Sequence, residues 1–122
     1  MKDESPQLLQ MHEPTNRRFT SQDERRAYEA RQLLWIRYED HRGHITERVV
    51  EVYKPREGAM MFTWCRLQQE PRAFARHRIK SWRLLPERFT FEPLVAQYWS
   101  EERGPDMWNT VSWRLWLQKQ CE

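Results

Sequence analysis

Arginine and aromatic side chains accompany apolar, β-type runs in the middle of this chain. The pattern recurs in four short segments, residues 46–50, 60–65, 72–74 and 77–79. A small sheet built from these segments presents guanidinium groups beside aromatic rings, a pairing that favours anions and nucleobases. The residue types and their spacing therefore predict a binding surface.

The basic residues are unevenly distributed along the chain. The formal net charge is +3 at pH 7, and all but four of the 21 basic residues are arginine. Residues 36–92 hold twelve basic and eight acidic residues, whereas residues 1–35 hold six of each and residues 93–122 hold three and four. The middle of the chain is thus biased toward phosphate or carboxylate ligands, and a solvated, salt-bridged surface is the alternative.

Length and composition predict one small domain with appendages. Of the 122 residues 39% are hydrophobic and 32% charged, and an aromatic content of 13% argues against disorder. Two cysteines are too few for a disulfide scaffold, and no segment resembles a signal peptide or a membrane span of roughly 20 apolar residues. We expect a reduced, cytoplasmic protein that does not enter a membrane.

The elements that must position the basic and aromatic side chains are short. Residues 1–20 carry prolines, charges and few apolar residues, which predicts a flexible arm. Ser21 and Glu24 form a capping-box pattern, which predicts a helix over residues 22–33. After this helix, apolar residues recur at every second position, which predicts five strands. The first strand begins at Leu34, and the others cover residues 45–53, 59–67, 72–76 and 80–85, with a helical turn near residues 77–79.

The C-terminal segment predicts a helix followed by a strand. Residues 94–99 have helical character, and Gly104-Pro105 ends them. Apolar residues stand at alternate positions of residues 111–117, which is strand spacing, although a helix from Met107 is the alternative.

Together these elements predict a mainly β (α+β) fold. Five short strands joined by tight turns behind one helix indicate a small, strongly bent β-barrel. We expect a flexible arm at residues 1–20, the barrel with its N-terminal helix at residues 21–89, and a short helix–strand extension at residues 90–122.

The order of these motifs resembles the WYL domain of bacterial ligand-sensing regulators. The resemblance covers about residues 22–89 and rests on Ile36-Arg37-Tyr38, residues 43–50, the apolar strand that ends at Trp64-Cys65, and residues 72–79. It implies an Sm-like or SH3-like small barrel whose basic, aromatic face binds nucleic acid or a nucleotide-type ligand. It further implies a set of ligand-binding residues, in which arginines contact phosphate and a ring stacks: Arg48, Arg72 and Arg78, with Tyr38 or Trp64.

The chain departs from the WYL pattern in two places. Ala59-Met60-Met61 stands where the family carries its signature tripeptide, so any stacking there must come from Trp64 or Phe62. Residues 1–20 are too few and too irregular for the winged helix-turn-helix that usually precedes the domain. We therefore do not expect this segment to bind a DNA operator.

Each candidate residue also has a purely structural interpretation. The three arginines can form surface salt bridges worth about 0–1 kcal/mol each, and the aromatic side chains can simply be core. A histidine pair that straddles a turn lacks further metal ligands, and no nucleophile stands beside a base, so we expect no metal, no cofactor and no catalysis. The residues concerned are Glu47, Glu51 and Glu87 as salt-bridge partners, Phe62 and Phe74 as core, His41 and His44 in the turn, and Cys65 as an inert thiol.

Two functions follow as hypotheses. The first is a non-enzymatic, WYL-type ligand-binding module that recognises single-stranded nucleic acid or a nucleotide-like anion and modulates a transcriptional or nucleic-acid-processing partner. The second is a protein-interaction or assembly subunit, with a homodimer as one form of it, that uses the barrel face and an aromatic tail with Trp108, Trp113 and Trp116. These tryptophans can instead fold back over the barrel.

Overall fold

The computed structural model describes residues 15, 17–53, 55, 58–102 and 112–120. Within these residues one antiparallel sheet of five strands is accompanied by three α-helices and one 3₁₀-helix. The predicted mainly β (α+β) class is confirmed. In chain order the elements are α1 (Ser21–Ala30), β1 (Gln32–Glu39), β2 (Ile45–Val52), β3 (Met60–Cys65), β4 (Glu70–Ala75), the 3₁₀-helix (Arg76–Arg78), β5 (Ile79–Arg88), α2 (Pro93–Glu102) and α3 (Trp113–Gln120).

The strand order in the sheet is β4-β3-β2-β1-β5. All neighbouring strands are antiparallel, and each of the five predicted strands occurs within three residues of its expected ends. The 3₁₀-helix joins the two edge strands at the place where a helical turn was expected. No ladder pairs β4 with β5 among the described residues, so closure of the sheet into a barrel stays a prediction.

Both faces of the sheet are apolar, because strand β3 carries apolar residues on alternate sides. Met61 and Cys65 belong to one core and Phe62 to the other, and all three are at most 3% exposed. We call these the inner and the outer core. The inner core contains Phe19, Ala27, Leu34, Ile36, Val50, Val52, Met61, Cys65, Phe74, Ile79 and Trp82. The outer core contains Leu33, Tyr53, Phe62, Phe89, Val95, Tyr98, Trp99 and Trp116.

Helix α1 begins and ends at residues that differ from the expected ones. Thr20 is the N-cap, and the Asp23 carboxylate accepts the Thr20 amide at 2.9 Å, so the capping box lies one residue earlier than Ser21 and Glu24. The helix ends where Arg31 adopts a left-handed conformation with φ 56°, and the Arg31 amide bonds the carbonyls of Ala27 and Tyr28. The residues that follow therefore start β1, and the prediction of a helix to residue 33 was wrong.

A buried ion pair connects α1 to the 3₁₀-helix. Arg76 Nε donates to Glu24 Oε1 at 2.6 Å, and Arg76 also donates through Nη1 to the Gly58 carbonyl. Glu24 is fully buried, and its Oε2 makes no hydrogen bond among the described residues. Burial raises the pKa of Glu24, and the Arg76 guanidinium opposes this rise.

The described part of the predicted arm lies against the sheet. Thr15 and Trp82 exchange backbone hydrogen bonds of 2.7 and 3.2 Å. Phe19 is 3% exposed, and its ring meets the Trp82 ring edge-on at 5.4 Å. Residues 1–14 and 16 lie outside the described residues. The folded unit thus begins before residue 21, because Phe19 completes the inner core.

The C-terminal segment is a helix, and the strand predicted at residues 111–117 is wrong. Trp113, Trp116 and Leu117 lie three and four positions apart, so a helix directs all three toward the outer core. Trp116 is 5% exposed and stacks on Trp113 at 5.6 Å. These tryptophans therefore do not form an exposed tail. Trp108, Met107 and Gly104-Pro105 lie outside the described residues.

None of the described helices has the length and apolar character required to cross a membrane. Cys65 is a buried free thiol.

Replacement of Phe19 tests whether the segment before α1 belongs to the fold. Phe19→Ala should lower the free energy of unfolding by about 3–5 kcal/mol, because it leaves a cavity beside Trp82. Urea denaturation followed by tryptophan fluorescence measures this loss. The control is Arg18→Ala, at a neighbouring exposed residue, which should change stability by no more than about 0.5 kcal/mol. Equal losses of stability in the two variants would contradict the assignment of Phe19 to the inner core.

Candidate anion-binding site

A cleft of about 610 Å³ opens where the end of β1, the start of β2, strand β4 and the 3₁₀-helix meet, and its lining extends to Met60 of β3 and to Tyr98 and Trp99 of α2. Four of the five predicted site residues line it: Tyr38, Arg48, Arg72 and Arg78. The fold brings them together because β1 and β2 are neighbours and the chain returns from β4 through the 3₁₀-helix to β5, which pairs with β1. Residues far apart in sequence thereby share one surface.

Arg48 reaches the cleft from strand β2. Arg48 lies two positions before Val50 and therefore on the same face of the strand. Its half-buried side chain lies beside the Cys65 thiol of the inner core. Its Nη1 donates to Cys65 Sγ at 3.6 Å and its Nε to Thr46 Oγ1 at 3.3 Å. Both acceptors are neutral groups, and no described carboxylate lies within ion-pair distance of Arg48. The guanidinium therefore keeps a net positive charge at the cleft.

Arg78 is the last residue of the 3₁₀-helix and is also half-buried. Its Nη1 donates to the Asp40 carbonyl oxygen at 3.1 Å. In the part of the chain that the structure describes, Arg78 forms no ion pair. Like Arg48, it is held by a neutral acceptor.

Arg72 differs from the other two arginines because a carboxylate lies beside it. It lies on edge strand β4, and its side chain is 39% exposed. Nη1 donates to Gln68 Oε1 at 2.5 Å and lies 3.8 Å from Glu70 Oε2, whose side chain is 46% exposed. Such an exposed ion pair contributes about 0–1 kcal/mol, so Glu70 only weakly opposes an incoming anion.

The carboxylates proposed as salt-bridge partners of these arginines pair elsewhere or not at all. Glu47 Oε2 lies 3.3 Å from Arg37, and Glu51 Oε2 lies 2.9 Å from Arg66. Glu87 is exposed on β5 and forms no ion pair with any described residue. The salt-bridge interpretation of Arg48 and Arg78 is therefore not met within the described residues.

Among the residues that the structure describes, Asp40 supplies the one carboxylate that lines the cleft. Its Oδ1 accepts the amides of His44 at 2.9 Å and Arg42 at 2.8 Å. The hydrogen bond from the His44 amide, reinforced by that from Arg42, holds the pKa of Asp40 below its usual value, so this group stays ionised at neutral pH. Three guanidiniums and one carboxylate give the cleft lining a formal charge of +2.

The aromatic candidates lie on opposite sides of the sheet. Tyr38 lines the cleft, where its hydroxyl accepts the Ala75 amide at 3.0 Å and its ring meets Phe74 edge-on at 4.9 Å. Trp64 projects to the outer core and packs edge-on against Trp113 at 5.4 Å. The structure therefore joins Tyr38 to the arginines and separates Trp64 from them.

The expectation of Phe62 and Phe74 as core residues is confirmed, since they are 3% and 2% exposed. The turn histidines are exposed, and His44 Nδ1 lies 3.6 Å from Asp40 Oδ2. No group of three potential metal ligands occurs among the described residues.

Sequence reasoning placed Asp40 in a turn and missed its position in the cleft. An aspartate at the start of a tight turn, as in Asp40-His41-Arg42-Gly43, commonly accepts nearby amides, and that signal was present in the sequence. The turn pattern could not predict the hydrogen bond from Arg78 to the Asp40 carbonyl, because the two residues lie 38 positions apart.

Comparison with known proteins adds no family assignment: no protein-family model matches the chain, and no curated protein matches it.

Two arginines of the 3₁₀-helix should respond differently to truncation. Arg78→Ala removes one hydrogen bond to a carbonyl and should cost about 0.5–1.5 kcal/mol of stability. Arg76→Ala leaves the buried Glu24 carboxylate unpaired and should cost about 3–5 kcal/mol. Chemical denaturation of both variants measures the difference, and a larger loss for Arg78→Ala would show that Arg78 is the structural arginine.

The lowered pKa of Asp40 predicts a pH dependence of stability. Because the pKa is lower in the folded than in the unfolded state, the stabilisation is present above the unfolded value, near 3.8, and is lost as the pH falls through the folded value. A carbon-detected NMR titration should place the Asp40 midpoint below 3.8. A midpoint at or above that value would contradict the hydrogen bonds to Arg42 and His44.

Proposed function

We propose that the cleft binds a phosphate-bearing ligand, either a nucleotide-like anion or a short stretch of single-stranded nucleic acid. The observation that carries this proposal is the convergence of Arg48, Arg72 and Arg78 on one cleft in which Asp40 is the only carboxylate among the described lining residues. The chain then acts as a non-enzymatic ligand-binding regulatory module of the kind that the WYL resemblance implies. Its ligand-bound state modulates a transcriptional or nucleic-acid-processing partner in the cytoplasm.

The electrostatics of the cleft favour an anion. Half-buried guanidiniums lose part of their hydration, and nearby like charges repel unless an anion neutralises them. The neutral acceptors of Arg48 and Arg78 leave other guanidinium hydrogens for a ligand, since each guanidinium carries five donors. A hydrogen bond from a charged donor contributes about 1.5–3 kcal/mol, so two or three such contacts support measurable binding.

Size and shape support a small ligand or one segment of a polymer. The volume of about 610 Å³ lies within the range of about 300–1,000 Å³ that ligand clefts span. The edge-on pair of Tyr38 and Phe74 forms an aromatic wall beside the arginines. We therefore assign phosphate to the guanidiniums and the base to the exposed part of the Tyr38 ring, without a role for Trp64.

The groups in the cleft support binding better than catalysis. Arginine stays protonated at all physiological pH values and does not exchange protons with a substrate. General acid–base chemistry needs a group whose pKa lies near the working pH, whereas hydrogen bonds hold the pKa of Asp40 low. The other lining residue of a suitable type, His41, is exposed in the turn, and no nucleophile is placed beside it among the described lining residues. An assembly subunit remains the alternative function, and a concentration-dependent mass in light scattering would favour it.

Salt dependence of oligomer binding tests the proposed function. A fluorescein-labelled oligothymidylate of about eight nucleotides should bind with an affinity that falls about 20-fold between about 50 and about 200 mM salt, as expected for three phosphate contacts on a single strand. Fluorescence anisotropy gives the affinity, and unlabelled AMP as competitor separates nucleotide from polymer recognition. Absence of binding to both probes at low salt would refute the proposal.

Substitution of Arg78 locates the binding surface. Arg78→Ala should weaken oligomer binding about 10- to 100-fold at low salt and reduce the salt effect to about sevenfold, because one phosphate contact is lost. Arg114→Ala is the matched control, since Arg114 is an exposed arginine on α3 outside the cleft. Equal losses in the two variants would indicate non-specific attraction to a basic protein.

A further inference from the structure

The 3₁₀-helix carries one arginine at each end, and the two face different surroundings. Arg76 is directed to the buried Glu24 of helix α1, whereas Arg78 lines the cleft. Arg76 and Arg78 belong to one 3₁₀ turn, which is closed by the hydrogen bond from the Ile79 amide to the Arg76 carbonyl. A shift of the Arg76 backbone is therefore transmitted to Arg78 within three residues.

The Arg76 end of this turn is held from three directions. Its amide donates to the Ala59 carbonyl at 2.9 Å, its Nε to Glu24 at 2.6 Å, and its Nη1 to the Gly58 carbonyl. The Arg76 side chain is 12% exposed and Glu24 is fully buried. At the other end, Ile79 is buried in the inner core and pairs with Tyr38 of β1, but the Arg78 side chain itself makes one hydrogen bond among the described residues, to the Asp40 carbonyl.

We propose that Glu24 and Arg76 are positioning residues for the Arg78 guanidinium, so that helix α1 determines the geometry of the cleft without contacting its ligand. This inference rests on the proposed function of the cleft. Loss of the ion pair allows the 3₁₀-helix to fray, which spreads Arg78 over several orientations and lowers affinity for phosphate. Helix α1 is thereby a part of the binding apparatus.

A comparison of two α1 variants separates positioning from general stability. Glu24→Gln keeps the shape of the side chain and removes its charge, whereas Thr20→Ala removes the N-cap of the same helix, whose described side-chain hydrogen bonds are to Asp23 and not to Glu24 or Arg76. Both are measured at low temperature, where circular dichroism shows each to be folded. Glu24→Gln should lower the logarithm of the oligothymidylate affinity by at least about half as much as Arg78→Ala does. Thr20→Ala should bind oligothymidylate with the affinity of the wild type.

A double-mutant cycle adds a readout that a purely structural role would not change. If Glu24 acts through Arg78, Glu24→Gln should have no further effect on affinity in the Arg78→Ala background. Should Glu24→Gln fail to fold, Arg76→Lys replaces it in the cycle, because lysine keeps a positive charge beside Glu24 but lacks the guanidinium fork. A loss that persists in the Arg78→Ala background would overturn the proposal.

Hydrogen exchange tests the position of the turn without a ligand. The exchange rate of the Ile79 amide, relative to that of Ile36 in the central strand β1, should rise about tenfold or more in Glu24→Gln and stay unchanged in Thr20→Ala. Equal ratios in the wild type and Glu24→Gln would overturn the positioning role. Failure of the wild type itself to bind either probe is a different result, because it refutes the proposed function of the cleft.

Discussion

The need to cover both faces of one small sheet determines the arrangement of this protein. Strand β3 places apolar side chains on alternate sides, so neither face can be left in water without a large cost. Helix α1 and the segment that contains Phe19 cover the inner face, and α2 and α3 cover the outer face. Every other feature, including the cleft, occupies the space that these coverings leave.

The cleft occurs where the covering stops. At the junction of β1, β2, β4 and the 3₁₀-helix, arginines take the place of apolar side chains, and their aliphatic stems continue the packing while their charges face outward. Neutral acceptors hold Arg48 and Arg78 in position without cancelling their charge. Elsewhere on the sheet, Arg37 is paired with the Glu47 carboxylate.

Two carboxylates near the 3₁₀-helix show how environment separates similar groups. Glu24 is fully buried, and the Arg76 guanidinium is the positive charge that pairs with its carboxylate. Its pKa is raised because the effect of burial is larger than the opposing effect of Arg76. Asp40 is partly exposed and accepts two turn amides, so its pKa is lowered. The first carboxylate holds the turn in place, and the second leaves the cleft with a smaller positive charge than the arginines alone would give it.

The sequence by itself determined the fold class, the five strands and the helical turn before β5. These features depend on local periods, on turn residues and on residue type, all of which are encoded within a few positions. The family resemblance indicated four of the residues that line the cleft. Closure of the barrel was predicted from the strand pattern and the identity of any ligand from the resemblance, and both stay predictions.

Only the tertiary structure decided which side of the sheet each aromatic residue occupies and what covers it. Trp64 and Tyr38 both lie in segments with the alternation typical of strands. In the structure Trp64 lies on the face that α3 covers, and Tyr38 lies on the face that carries the arginines. The same packing makes residues 113–120 helical, because burial of Trp113 and Trp116 against the sheet outweighs a local alternation typical of strands. The partners of Glu24 and Arg78 lie 52 and 38 positions away, and contacts at such distances arise only when the whole sheet has formed.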